Sequence, residues 1–305
     1  MRTIVTGGAG FIGSNLVDRL IDDGHEVIVI DNLSTGKKEN INSKAKFYNK
    51  DLTEMRRESD FSIFENVDIV FHMACLARVQ PSIENPHLYH DKNVNGIVNV
   101  LEGCRKYGVS RLVFSSSSSV YGDAEEVPTS ESCKLNPMSP YALHKLVGEQ
   151  YCKLYSELYG IDTVSLRYFN VYGDRMNLNG AYKLVIPIFT EQKLNGEPMT
   201  IRGDGEQRRD FTYVGDVVEA NIKAGFNAKL PIFPCKGDVF NIGNGDNRSV
   251  NQLATMIGGD RVNVEPVIEP RETLADNSKA KNIIDWKPTM KIEDWMSEYK
   301  EKMNL

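Results

Sequence analysis

The sequence has little of what would place it in a membrane or on a nucleic acid. No apolar run approaches the roughly 18 residues of a membrane-spanning helix, so we expect no membrane segment. Basic residues are outnumbered, 36 Lys and Arg against 42 Asp and Glu, and no long basic run offsets the net charge of −6. That balance argues against general binding of nucleic acids. The first predicted strand begins at Arg2, which leaves no room for a signal peptide, and we expect a cytoplasmic protein.

Cysteine is scarce, and its spacing forms no known pattern. The five residues are an odd number, and no two of them form a C-x-x-C pair. We interpret them as reduced and mostly buried thiols, and we expect neither a disulfide framework nor a metal site. Hydrophobic residues make up 41% and charged residues 26% of the 305, as in an ordinary globular protein with one large or two modest domains. The cysteines are Cys75, Cys104, Cys133, Cys152 and Cys235.

The first 170 residues alternate between short apolar runs and longer segments with helical periodicity. Runs such as Val67-Asp-Ile-Val-Phe indicate parallel strands that are buried on both faces. The alternation predicts an α/β protein with a doubly wound parallel sheet. After about residue 170 the shorter elements predict a smaller, mixed α/β lobe, with part of 210–245 returning to the main sheet. The predicted strands are 2–6, 26–30, 45–49, 67–72, 110–116 and 162–168, and the predicted helices are 11–23, 92–107 and 140–159.

A glycine-rich turn follows the first predicted strand. Gly7, Gly10 and Gly13 stand three residues apart, and an apolar helical segment begins among them with Phe11 and Ile12. Glycines at this spacing let the backbone approach a pyrophosphate closely, and the start of the helix offers free N–H groups and the positive end of its dipole. A glycine turn by itself can be only a turn, but the order of strand, turn and helix predicts a dinucleotide site.

An acidic residue ends the second predicted strand. Asp31 lies 18 residues after Gly13, which is the spacing expected of a carboxylate that binds the ribose hydroxyls of adenosine. It favours NAD over NADP because a 2′-phosphate would meet a like charge, and the alternative for Asp31 is a helix cap or a turn residue. Ligands of such sheets bind at the carboxyl ends of strands, so Asp51, Ala74 and the serine run 115–119 are further candidates.

Tyr141 and Lys145 form the only Tyr-x-x-x-Lys pattern of the chain, directly after Ser139-Pro140, a pair that favours the start of a helix. Residues four apart share a helix face, and this helix follows the strand that ends in the serine run. A tyrosine with a pKa of about 10 is a poor base at neutral pH, but a lysine ammonium and a positive nicotinamide ring favour its phenolate. The phenolate can then take the proton of a substrate alcohol while hydride passes to the cofactor. The alternative is an exposed Tyr and Lys beside a serine-rich turn.

Five stretches of the sequence carry a resemblance to a known family. Together they resemble the extended short-chain dehydrogenase/reductases and, within them, the NAD-dependent nucleotide-sugar 4-epimerases. The resemblance spans essentially the whole chain and implies an NAD-binding Rossmann domain over 1–170 and mainly a nucleotide-sugar-binding lobe over 171–305. The stretches are Thr6-Gly-Gly-Ala-Gly-Phe-Ile-Gly-Ser, Asp31-Asn-Leu-Ser-Thr-Gly, Phe114-Ser-Ser-Ser-Ser-Ser-Val-Tyr-Gly, Ser139-Pro-Tyr-Ala-Leu-His-Lys and Arg167-Tyr-Phe-Asn-Val-Tyr-Gly.

The resemblance implies a reaction without net redox change. Tyr141 would be the base, Lys145 its partner and a ribose ligand, and Ser117 the catalytic serine, counted back from Val120-Tyr121-Gly122. In the family, hydride leaves C4 of the sugar for NAD and returns to the other face of a 4-keto sugar, so that NAD stays tightly bound. The NAD-binding residues implied are Gly7, Gly10, Phe11, Ile12, Gly13, Asp31, Asn32, Asp51, Leu52, Ala74, Asn93, Tyr141 and Lys145.

For the other half of the site, the resemblance implies contacts with a UDP-sugar. Arg209-Asp-Phe resembles the segment whose arginine binds the diphosphate, a task that suits a planar guanidinium. The alternative for Arg209 and its neighbour Arg208 is a solvated charge cluster. Asn179-Gly-Ala-Tyr resembles the sugar-side loop of epimerases that accept N-acetylated sugars. The substrate-binding residues implied are Ser117, Ser119, Asn170, Asn179, Arg209 and Arg271.

Two local features refine the expected substrate. Ser118 and Ser119 stand where related dehydratases carry Asp-Glu, which favours simple oxidation and return at C4. The segment that begins at Pro270 is shorter than in the family. The usual ribose-binding Asp is either missing from it or replaced by Glu272. Thr273 is nearest to a position that gates the sugar pocket, and its small size would leave room for a 2-acetamido group.

We therefore expect a UDP-sugar 4-epimerase, with UDP-N-acetylglucosamine and UDP-N-acetylgalactosamine slightly favoured over UDP-glucose and UDP-galactose. The alternatives are a UDP-glucuronate 4-epimerase, another sugar-nucleotide enzyme of the same family, or a non-catalytic NAD-binding sensor. By analogy with the family we also expect a homodimer built from helices 92–107 and 140–159.

Overall fold

A computed structural model describes residues 1–177, 184–226, 236–266 and 270–305 of the chain. Within them the strands are β1 (Arg2–Thr6), β2 (Glu26–Asp31), β3 (Lys46–Asn49), β4 (Ile69–His72), β5 (Arg111–Ser117), β6 (Asp162–Tyr168), β7 (Val171–Tyr172), β8 (Met199–Arg202), β9 (Arg208–Asp210), β10 (Thr212–Tyr213), β11 (Asp238–Ile242), β12 (Asn247–Ser249) and β13 (Arg261–Val264). The helices are α1 (Phe11–Asp22), α2 (Val79–Glu84), α3 (Pro86–His90), α4 (Gly96–Tyr107), α5 (Pro140–Tyr159), α6 (Val185–Leu194), α7 (Val214–Phe226), α8 (Val250–Ile257), α9 (Ser278–Ile283) and α10 (Ile292–Met303).

Seven strands form a central sheet in the order β11-β6-β5-β4-β1-β2-β3, and every neighbouring pair is parallel. This confirms the predicted doubly wound α/β sheet. The strand order reverses at β1, which pairs with β2 on one side and with β4 on the other. Such a switch point leaves a crevice at the carboxyl ends of the strands, which is where ligands of these sheets bind.

Alternate residues of each strand enter two separate cores, because successive side chains of a strand point to opposite faces. On one face, Val5 and Val29 pack with α1 and α7. On the other face, Ile4 and Ile28 pack with α4 and α5. The fully buried strands explain why their sequences are nearly continuous apolar runs.

The predicted helix 92–107 differs from the structure at its start. The chain makes a π turn over Asp91–Asn95 before α4 begins, and two short helices, α2 and α3, precede it. Asn85 separates α2 from α3 with φ −131°. It comes directly before Pro86, and a proline disfavours helical geometry in the preceding residue, so one longer helix is interrupted there.

Beyond β7, the helices α6, α8 and α10 pack around a third apolar cluster. Trp295 and Tyr299 stack in it with their ring centroids 4.5 Å apart. The strand β11 instead lies in the main sheet beside β6. The division into lobes at residue 170 stays a prediction. None of the described helices is both long enough and apolar enough to cross a bilayer.

Candidate active site

The turn after β1 depends on close backbone contacts that only glycine permits. Gly7 has φ +68°, and its N–H donates to the Ile30 carbonyl at 2.8 Å. A Cβ on Gly13 would lie 2.2 Å from the carbonyl oxygen of Gly7, so α1 rests directly on the turn. Gly10 is the N-cap of α1, and no side chain in the described residues caps this helix end. Its first N–H groups are therefore available to an anion, which fits the pyrophosphate of NAD.

The Asp31 carboxylate lies at the end of β2, against this turn. Its Oδ2 accepts a hydrogen bond from the Ala9 N–H at 3.0 Å and its Oδ1 one from the Leu33 N–H at 2.8 Å. A carboxylate has about four lone-pair sites, so these two bonds leave capacity for hydroxyl donors. Asp31 thus holds the turn, as the alternative interpretation has it, and its ribose contact stays a prediction.

Asp51 and Asn32 meet at the next strand ends. The Asn32 amide donates to Asp51 Oδ2 at 2.9 Å, and Lys92 Nζ donates to the same oxygen at 2.9 Å. Burial raises the pKa of the Asp51 carboxyl, but hydrogen bonds from Thr53, Lys92 and Asn32 outweigh it and hold that pKa well below its usual range. Leu52, which follows, is buried. Lys92 was not predicted, because its partner lies on a distant element.

Ala74 and Asn93 shape the crevice beside Gly7. A Cβ on Gly7 would lie 2.7 Å from the Ala74 Cα, and the Ala74 N–H donates to Thr6 Oγ1 at 3.2 Å. Asn93 is buried and fixes Leu76, accepting its N–H at 2.8 Å and donating to its carbonyl at 3.1 Å. Asn93 therefore positions the loop after β4.

Phe11 and Ile12 form the first turn of α1 and face different parts of the fold. Phe11 packs against the third apolar cluster, around α6, α8 and α10, and Ile12 packs against the core that contains Val5 and Val29. Both side chains are half-buried at the helix end whose N–H groups are available to an anion.

Tyr141, Lys145 and Ser117 come together at the carboxyl end of β5. Lys145 is buried. Its Nζ donates a hydrogen bond to the Ser115 carbonyl and lies 5.9 Å from the centre of the Tyr141 ring. Burial raises the pKa of the Tyr141 phenol above its usual value, and the Lys145 charge and a hydrogen bond with Ser117 offset part of that rise. The first turn of α5 is fixed by the Tyr141 N–H, which donates to Ser82 Oγ at 3.1 Å. The geometry suits a base whose ionised form depends on its neighbours.

Lys145 keeps its charge in this buried position. Burial lowers the pKa of its ammonium, but Cys75, Tyr141 and Glu149 together raise that pKa above its usual value. Arg78, on the loop after β4, is a second cation close to the phenol. Neither Cys75 nor Arg78 was predicted, because nothing in the local pattern of that loop signals a contact with α5.

Ser119 supplies a polar group without a protein partner. Its hydroxyl oxygen is shielded from solvent and has no hydrogen-bond partner in the part of the chain that the structure describes. Its N–H donates to Ser117 Oγ at 3.2 Å, so the two serines are held side by side. A buried hydroxyl of this kind is costly unless a ligand satisfies it.

The other predicted substrate-binding residues lie in different environments. Asn170 follows β6, and its carbonyl accepts the Thr212 N–H at 3.2 Å. Arg209 is half-buried on β9, and its guanidinium donates to the Arg208 carbonyl at 2.8 Å. Arg271 is exposed and pairs with Asp204 through two contacts of 2.8 Å. Asn179 lies outside the described residues.

The features typical of a dinucleotide-dependent enzyme that acts on an alcohol are a parallel sheet, a glycine turn, an acid at the end of the second strand and a Tyr–Lys pair at the same sheet edge. The family model described as "NAD dependent epimerase/dehydratase family" matches residues 3–243. The chain belongs to that family and is an NAD-dependent enzyme.

Similar proteins include a putative UDP-glucose 4-epimerase of Methanocaldococcus jannaschii, 42% identical over 95% of this chain and 94% of its own length. The crystal structure of UDP-glucose 4-epimerase with UDP-glucose from Thermotoga maritima has a TM-score of 0.91 and 38% identity, with full coverage of both chains. The UDP-N-acetylglucosamine 4-epimerase from Methanobrevibacter ruminantium M1, in complex with UDP-N-acetylmuramic acid, has a TM-score of 0.88 and 37% identity, over 97% of this chain and 96% of its own.

Proposed function

We propose that this chain is a UDP-sugar 4-epimerase that works through a transient 4-keto sugar. The observation that carries the proposal is the cluster of Tyr141, Lys145 and Ser117 at the sheet edge that also holds the glycine turn. The similar proteins whose names state the same reaction support it. A sensor that only binds NAD would have no need of a buried lysine beside a tyrosine and a serine.

The residues divide the proton chemistry between them. The Tyr141 phenolate removes the proton from the 4-hydroxyl of the sugar and later returns it, and Lys145 stabilises the phenolate before the proton is taken up and after it is returned. Ser117 holds the same sugar oxygen through its hydroxyl. NAD, when bound at the glycine turn, supplies a reversible acceptor for the hydride of C4. The proton and the hydride both return to the sugar, so no outside reductant is required.

Within this reaction we favour UDP-N-acetylglucosamine and UDP-N-acetylgalactosamine over the UDP-hexoses. Thr273 supports this choice because it is small and held in place: its N–H donates to the Arg208 carbonyl at 3.0 Å, and its hydroxyl accepts from the Asp210 N–H at 3.4 Å. Glu272 accepts a hydrogen bond from the Asn247 amide at 2.7 Å, and this contact holds the short segment against β12. A small, fixed side chain leaves space beside C2 of the sugar.

The test is proton NMR of the purified protein with UDP-N-acetylglucosamine, UDP-glucose or UDP-glucuronate, without added NAD. We expect the C4 epimer to appear without added NAD, because the cofactor is retained through the catalytic cycle. The N-acetylated sugar should react fastest. Faster turnover of UDP-glucose would overturn the substrate preference alone. Absence of any epimer with all three sugars, also after NAD is added, would overturn the 4-epimerase proposal.

We also propose a homodimer through α4 and α5. The α5 surface supports it, since Leu143, Leu154 and Leu158 are 47%, 44% and 62% exposed, and apolar side chains on one helix suit a partner. Light scattering at micromolar concentration should give twice the chain mass, and Leu154→Glu with Leu158→Glu should give monomers. A monomeric wild-type protein would contradict this proposal.

A further inference from the structure

We propose that the buried ion pair of Glu149 and Arg167 is a positioning element of the active site, which fixes the strand end that holds Lys145 and connects it to the segment 270–276. The inference rests on the proposed function, because its readout is the rate of that reaction. In this proposal the two side chains act on the catalytic pair through Ser116 and its neighbours.

The pair is almost fully buried and directly adjoins the catalytic strand end. Each side chain is 3% exposed, and Arg167 donates two hydrogen bonds to the Glu149 carboxylate, at 2.9 and 2.7 Å. The Ser116 hydroxyl donates to the same carboxylate. Ser116 lies between Ser115, whose carbonyl binds Lys145, and Ser117, which bonds with Tyr141. The carboxylate therefore anchors the middle of three residues whose outer two contact the catalytic pair.

The same network extends away from the catalytic strand. Arg167 also donates to the Tyr121 hydroxyl at 2.8 Å, and that hydroxyl donates to Asn241 Oδ1 at 2.6 Å. The Asn241 amide donates to the carbonyls of Thr129 at 2.9 Å and Asp276 at 3.2 Å. Thr129 is bonded in turn to Leu274 and Asp276 through backbone hydrogen bonds of 2.8 and 2.9 Å. An unbroken chain of contacts thus runs from β5 to the end of the segment that contains Arg271 and Thr273.

Stability alone is a weak reason for such a pair. Removing two charges from water is costly, and well-packed apolar residues in the same place are often as stabilising. An apolar pair, however, could not bind the Ser116 hydroxyl or the Tyr121 hydroxyl. Glu149 also lies one turn after Lys145 on α5 and helps to keep its ammonium charged. Well-packed apolar side chains could not make these contacts, so we infer that the pair is retained for positioning.

The experiment compares two double variants over a range of substrate concentrations. In the first, Glu149→Met is combined with Arg167→Met, which removes the network but preserves apolar volume. In the control, Arg111→Met is combined with Asp162→Met. This second ion pair joins the amino-terminal ends of β5 and β6, the strands that carry Ser116 and Arg167 near their other ends, and it is 12% and 16% exposed. Thermal unfolding, bound NAD per chain, kcat and KM are measured for each.

We expect the first double variant to fold and to retain NAD, with kcat reduced at least tenfold and KM changed by less than about threefold, because displacements of about 1 Å at reacting groups cost up to 100-fold in rate. The control should keep the wild-type kcat. Ser116→Ala provides a milder variant that spares the ion pair, and its kcat should also fall. A wild-type kcat in the first double variant or in Ser116→Ala would overturn the inference, as would an equal loss in the control. An inactive wild-type protein would instead overturn the proposed function.

Discussion

The contact between Gly13 and Gly7 leads to a prediction that distinguishes two effects of a glycine in this turn. One is the tight packing of α1 on the turn, and the other is the close approach of the backbone to the cofactor. In Gly13→Ala the new Cβ would lie 2.2 Å from the Gly7 carbonyl oxygen, about 1.2 Å short of the 3.4 Å at which ordinary contact begins. This oxygen belongs to the backbone, so either α1 or the turn must move by about that distance. Forcing an extra methyl into a filled site typically costs about 1–3 kcal/mol of stability.

A movement of this size also disrupts the available N–H groups at the start of α1, because a hydrogen bond of ordinary length does not survive a displacement of about 1 Å. We expect Gly13→Ala to lose NAD affinity on the order of 100-fold, about 2.7 kcal/mol. NAD released from denatured protein and quantified per chain gives the occupancy, and thermal unfolding with and without excess NAD gives the change in stability.

Gly10→Ala is the matched control. Its Cβ would lie 3.2 Å from the same carbonyl oxygen, a contact that a shift of a few tenths of an ångström relieves. We expect its unfolding free energy to change by less than about 1 kcal/mol, while NAD binding falls because this glycine lets the backbone approach the pyrophosphate. Wild-type NAD occupancy together with wild-type thermal stability in Gly13→Ala would refute the reasoning.

Three further predictions concern the chemistry. Tyr141→Phe should abolish epimerisation, followed by NMR, and leave NAD bound, since only the proton acceptor is lost; measurable turnover near the wild-type rate would contradict its role. Lys145→Met removes the charge that lowers the Tyr141 pKa, so the pH at which kcat reaches half its maximum should rise by about one unit or more at saturating NAD, and an unshifted profile would exclude this coupling. Asp31→Asn removes the carboxylate but keeps a hydrogen-bonding side chain, so NADP binding should improve relative to NAD by at least about tenfold in a titration. A wild-type protein that prefers NADP would show that Asp31 does not select the cofactor.

The elements that sequence analysis predicted well are those whose signal is local. The apolar run that forms β1, the glycine turn and the periodicity of α1 lie within 22 consecutive residues, and the structure has them with boundaries close to the predicted ones. Helix 140–159 has the predicted bounds because Ser139 caps it and Gly160 ends it with φ +71°. Hydrophobic periodicity and turn chemistry were sufficient there.

Contacts between distant elements could not be predicted in the same way. Lys92 reaches Asp51 across 41 positions, and the partner of Glu149 lies on β6. In the sequence Glu149 is simply one more polar residue of an amphipathic helix, and Arg167 only one charge in a buried strand. Their pairing follows from the three-dimensional arrangement of α5 over the sheet, which no local pattern encodes.

The position of β11 at one edge of the main sheet has a consequence for how the chain is made. Its sheet partner β6 ends at Tyr168, whereas β11 begins only at Asp238, so about 70 residues must be synthesised before that edge can be covered. Until then β6 presents unpaired N–H and C=O groups, a surface on which strands of other chains can pair. Folding during synthesis therefore leaves this edge of β6 unpaired for several seconds at ordinary elongation rates. A fragment that stops before β11 would keep that edge of β6 unpaired permanently.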